Sequence, residues 1–287
     1  MLLPFWDTGK GQIMWVLLAI SLLSLRFNRL IAVLILACSC VWGYINDVIQ
    51  PVGAGFIIAL AALALVSTRL QRRPTLRIAV EIIALLAAVA LTMHWIPGFN
   101  NPRIVENSVL GPRSIPFGFS FNFDKALVPF ILMIALPSLF VSAPPVRVAR
   151  WCWGALILCV PGILLIAMGA GGLKLELHWP TWLPAFVLAN LFFVSLAEEA
   201  LFRGYLQQRL SLMMPPVVAL CLTSILFGAL HAAGGPLLML FAGISGLVYG
   251  LAWMWSGRLW VSTLFHFGLN MCHLLLFTYP ALRHAIS

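Results

Sequence analysis

The chain has 287 residues, of which 62% are hydrophobic and only 9% charged, whereas a soluble domain carries about a quarter charged residues. A surface with so few charges cannot stay in water. Lipid must be the solvent for most of the outside, which excludes a soluble enzyme or a large extramembrane domain. The net charge of +9, from 17 Lys and Arg against 8 Asp and Glu, lies in short gaps between apolar runs, where basic residues set membrane topology; nucleic acid is the weaker partner class.

Taken in chain order, apolar runs near 13–25, 30–49, 53–68, 76–96, 125–142, 151–171, 182–207, 216–232, 236–256 and 259–278 predict eight to ten helices, since a span needs roughly 20 residues. The runs are too long and continuous for barrel strands, and lipid tolerates no open sheet edge. The expected fold is an all-α, polytopic transmembrane helical bundle. Arg26 and Arg29, then Arg69, Arg72, Arg73 and Arg77, then Arg147 and Arg150, then Arg209 and Arg258 fall on one side if ten spans are counted, and that side should be cytoplasmic. Arg103, Arg113 and Lys125 would lie outside, in or beside loop 97–124, which reads as an irregular lid or connector. The six cysteines all sit in apolar stretches without a CxxC pair, so they read as small buried hydrophobes rather than disulfides or zinc ligands.

Ionisable groups interrupt the seventh run at Glu198, Glu199 and Arg203. Left unpaired at the bilayer centre, three such groups would cost roughly 8–10 kcal/mol, comparable to a whole domain's stability. Glu199 and Arg203, four apart, share a helix face and can pair. Glu198 lies about 100° round the helix and lacks that partner. Two further polar intrusions follow: His231, and the pair His266 and Asn270 one turn apart. If the chain reverses near Met214 and Pro215, Glu198 and His231 come to one depth, within reach of a shared water. Glu198 then reads as general base, His231 as the group that orients the water, and His266 and Asn270 as oxyanion donors. Counting along the helices places His266 near the Arg258 end of its run and His231 near the opposite end of its own, so the two meet only if a helix is tilted or broken, as Gly234-Gly235 would allow. His94, His178, His273 and Glu81 fall near span ends and read as interfacial.

The ordered set Glu198-Glu199-Ala-Leu-Phe-Arg203, Phe227-Gly-Ala-Leu-His231 and His266-Phe-Gly-Leu-Asn270 resembles the CAAX-protease and bacteriocin-processing family of glutamic intramembrane endopeptidases. The resemblance covers about 182–275. It divides the chain into N-terminal helices over 1–175, unmatched, and a catalytic core over 176–287. It implies hydrolysis of a peptide bond in a membrane-embedded or lipid-anchored substrate. Water activation falls to Glu198 and His231, oxyanion stabilisation to His266 and Asn270, and support to Glu199 and Arg203. No cofactor is required, and the expected location is a prokaryotic inner membrane.

Three rivals use overlapping residues. Glu198, His231 and His266 would make a His₂Glu zinc set, although no HExxH occurs. Gly243-Ile-Ser245-Gly246 resembles a GxSG serine motif, although such small-residue clusters usually serve packing. A transporter with a proton relay would also bury Glu, His and Arg, but would favour paired repeats in both halves. An aspartyl pair is excluded because Asp7, Asp47 and Asp124 lie near span ends or in loops.

Overall fold

The structure, a computed structural model, describes residues 9–69, 73–142 and 148–283; Asp7, Arg72 and Arg147 lie outside them. Helices α1 (Gly9–Ser24), α2 (Arg29–Ile45), α3 (Pro51–Arg69) and α4 (Pro74–Thr92) come first. Strands β1 (Arg103–Ser108) and β2 (Phe117–Ser120) follow, then the short α5 (Phe123–Ala126) and α6 (Val128–Ala135). The remaining helices are α7 (Arg150–Gly169), α8 (Leu183–Leu210), α9 (Pro216–Ala229), α10 (Pro236–Ser256) and α11 (Leu259–Leu276). Among the described residues, six helices (α3, α4, α7, α8, α10 and α11) are long and apolar enough to cross a membrane, and α1, α2 and α9 are shorter apolar helices. This is the all-α bundle of an integral, multi-pass membrane protein.

Two expectations are corrected. The fifth apolar run is no continuous span. Pro129 opens α6 at its first turn, and Leu136 is driven to φ −137° and ψ 92° because the following Pro137 disfavours helical geometry. Loop 97–124 is not wholly irregular, for β1 and β2 pair antiparallel. Backbone pairing also ties Ile115 to Ala281 and Glu176 to Leu276, so this loop, the α7–α8 connection and the C-terminal segment make one cap.

The helix ends sort into two layers. Arg29 Nη2 donates to Pro137 O, Arg209 Nη2 contacts Ala135 O, and Val141 bridges Arg258. The described arginines between helices thus gather at one end, as the sequence predicts. Arg103 and Arg113 lie in the cap at the other.

The core runs through both halves of the chain. Trp15 of α1 packs edge-on against Phe121 and Phe123 and at 5.5 Å from Phe193 of α8. Large side chains on the rim, such as Ile58 and Leu65, are about 70% exposed; they face the lipid that replaces water there.

Candidate active site

Helix α8 carries the acidic pair, and it is not uniformly wound. Two π-helical segments, Ala189–Ser195 and Ala200–Gln207, flank the α-helical turn Leu196–Glu199. Such widened turns recur at functional sites because they re-aim side chains within a helix. Residues five apart lie about 140° apart on an ordinary helix, yet here Ser195 Oγ donates to Asn190 Oδ1 at 3.2 Å.

Glu199 is fully buried and fastened from two sides. Arg203 Nη1 donates to its Oε1 at 3.0 Å, and His266 Nδ1 of α11 approaches the same oxygen at 3.0 Å. Arg203 Nη2 continues to the carbonyl of Gly246 at 2.9 Å, and the guanidinium lies 4.6 Å from the Phe227 ring centre. This buried charge is therefore paired, hydrogen-bonded and stacked, which offsets much of its desolvation. His266 is held flat against Tyr249, with ring centres 4.6 Å apart and 11° between planes.

Glu198 points elsewhere. It lines a cavity of about 620 Å³ together with Asn190, His231, Tyr249, His266 and Asn270. His231 stands just beyond the C-terminus of α9, and its Nδ1 donates to Phe227 O at 2.8 Å. Asn270 Nδ2 donates to Asn190 Oδ1 at 3.2 Å. The expected mismatch in depth between His231 and His266 resolves through helix length. At 14 residues, α9 rises only about 21 Å, short of the roughly 30 Å hydrocarbon core, so it ends before the far side of the membrane. The Phe227 ring touches both imidazoles, at 4.9 and 5.6 Å.

Residues 180–272 match the family model described as Rce1-like, type II CAAX prenyl endopeptidase Rce1-like. The similarity to the CAAX-protease family thus covers about a third of the chain. No curated protein and no solved structure matches the chain.

All four residues expected to react, each inside the segment similar to CAAX proteases, line one cavity, and both supporting residues, Glu199 and Arg203, stand behind it. The reading from spacing alone missed three residues. Glu198 is not partnerless: Lys125 Nζ of α5 lies 3.7 Å from its Oε1. Lys125 is one of three lysines in the chain, which was the available hint. It is fixed by its neighbour Asp124, whose buried carboxylate accepts from Asn101 Nδ2 at 3.0 Å and meets His94 Nδ1 at 2.6 Å. Asn190 was visible as a lone amide in an apolar run, and Tyr249 carried no signal beyond its type. Two of the residues read as interfacial are also tied down by specific partners, Glu81 and His178. Glu81 accepts from Tyr205 and Arg209 and so joins α4 to α8; His178 is buried against Leu274 O and Glu176.

Glu198, His231 and His266 are not grouped as metal ligands in this structure: among the described residues no three His, Cys, Asp or Glu side chains could hold a metal ion, and Lys125 Nζ stands 3.7 Å from Glu198 Oε1. Ser245 Oγ donates to Phe241 O at 2.8 Å, not to an imidazole that would activate it. Gly246 instead brings α10 against Arg203 and Ser224: an added Cβ would lie 3.2 Å from each.

Proposed function

We propose that the chain hydrolyses a peptide bond of a membrane-associated protein with water activated by Glu198 and His231, without a metal. The observation that carries this is the shared cavity, into which two adjacent glutamates contribute differently: Glu199 locked behind the wall, Glu198 lining the space. With its Nδ1 proton on Phe227 O, a neutral His231 presents the Nε2 lone pair. Two acceptors, that nitrogen and the Glu198 carboxylate, would orient one water by both its protons. Glu198 takes a proton as the water oxygen bonds to the carbonyl carbon, and the carbonyl electron pair moves to oxygen. Collapse of the tetrahedral intermediate breaks the C–N bond, and the proton passes to the leaving amine.

Asn270 retains one amide proton beyond that given to Asn190, which supports an oxyanion donor role. With Nδ1–H directed at Glu199, His266 would offer a second donor only as imidazolium. A prokaryotic inner membrane is the setting that fits this reading.

The test is cleavage of a membrane-anchored peptide library by the full chain in nanodiscs, read by mass spectrometry. Glu198→Gln should lower the rate at least about 100-fold, while a chelator should leave wild type unchanged. Full activity in Glu198→Gln would sink the assigned base, and chelator loss restored by zinc would sink the metal-free route.

A further inference from the structure

The cavity is not symmetric across the bundle. From Glu198 it extends to Phe117, Phe119, Ser120 and Asn122 of the cap and to Tyr279 through Leu282. Its lining includes no residue of the connections at the arginine end. Among the described residues, that end carries eight Lys or Arg and one acidic residue, Glu81, whereas the cap end carries six basic residues, Lys10 included, and four acidic ones. The arginine-end connections α1–α2, α3–α4 and α10–α11 are short, which is where such a bias sets orientation. At the mouth, Phe117 meets Tyr279 at 4.7 Å and Phe119 meets Trp182 at 5.5 Å, and Trp95 and Trp179 stand largely exposed at the same level. Aromatic side chains of this kind anchor a bundle at the headgroup layer.

We infer that the cavity opens on the non-cytoplasmic face, so that the substrate is an exported or exoplasmically exposed peptide segment with apolar side chains. This rests on the peptidase reading for the word substrate, but the orientation stands or falls independently. Cytoplasmic proteins would meet the arginine face, whose connections line no part of the Glu198 cavity. The aromatic mouth and the apolar walls from Ile163 and Leu164 of α7 and Leu237 of α10 would take up an extended segment lying at the interface.

The experiment uses a cysteine-free version of the full chain in intact cells and a membrane-impermeant maleimide. Single cysteines replace Glu106, exposed in β1; Ser120, at the mouth; and Met213, exposed in the α8–α9 turn at the arginine end. Glu106→Cys and Ser120→Cys should label in intact cells, and Met213→Cys only after permeabilisation. Labelling of Met213→Cys in intact cells, or loss of labelling at Glu106→Cys until permeabilisation, overturns the proposal. Should Ser120→Cys perturb the cap, Glu106→Cys and Met213→Cys decide the orientation by themselves. Labelling is read without reference to cleavage. The orientation can therefore fail while the peptidase reading survives, and loss of the Glu198→Gln effect would remove the peptidase reading alone.

Discussion

Glu198 and Glu199 are sequence neighbours with opposite surroundings, and the difference follows from which side chains face each. Glu199 holds Arg203 and His266 on one oxygen in a fully buried wall. Glu199→Gln would leave the Arg203 guanidinium buried without its counter-ion, a change that costs about 3–5 kcal/mol. Thermal unfolding in detergent should fall accordingly. A variant of wild-type stability would mean the triad contributes nothing to folding. Lys125 acts on Glu198 at 3.7 Å while remaining partly exposed. Lys125→Met should therefore fold normally but cleave more slowly, by about tenfold, the loss expected where one charge of about 1.4 kcal/mol is removed from an ionised partner. Equal rates would show that the ammonium is a bystander. The Glu199–Arg203 pair could be read from i,i+4 spacing. Lys125 could not, because no local periodicity relates α5 to α8.

At the scale of elements, α8 and α9 depart from regular geometry where the site is built. The π segments of α8 place Asn190 and Ser195 in contact, and the short α9 ends just before His231, part-way across the membrane. Neither departure is written in hydrophobic periodicity, which reports that a helix is present but not its pitch or its depth. Close approach of α9 to α10 depends on small residues, since a Cβ on Gly228 would lie 2.7 Å from Met239 O. Gly246→Val would press on Arg203 and Ser224, costing about 1–3 kcal/mol as overpacking does. It should lower both thermal stability and cleavage. Retention of both would return the Gly243–Gly246 segment to a role other than packing.

Across the whole molecule, the cap is fastened by a polar latch. Glu176 accepts from Ser114 Oγ at 2.6 Å and from the Arg113 amide at 3.1 Å, with His178 Nε2 3.1 Å away. Desolvation pushes the Glu176 pKa up, but the Ser114 and Arg113 hydrogen bonds and His178 outweigh it and hold the carboxyl below the usual carboxylate range. A depressed folded value means that the latch is fully stabilising above the unfolded pKa, about 4.3, and is lost as pH falls through the folded value. Hydrogen exchange at residues 113–114 should therefore be protected at neutral pH and speed up, relative to the intrinsic rate, only in acid below that range. Glu176→Gln should show the faster exchange at every pH. Protection independent of both pH and this substitution would exclude the latch.

Composition and the length of the apolar runs sufficed for the class of fold, because the cost of unpaired backbone in lipid leaves few alternatives. Charge placement gave the two ends, and the three polar motifs gave the residues that meet in one cavity. What the linear order could not contain were Lys125 beside Glu198, His266 on Glu199, and the cap over the mouth. Those contacts join segments far apart in the chain, and they exist only once burial and backbone pairing have fixed where each helix stops.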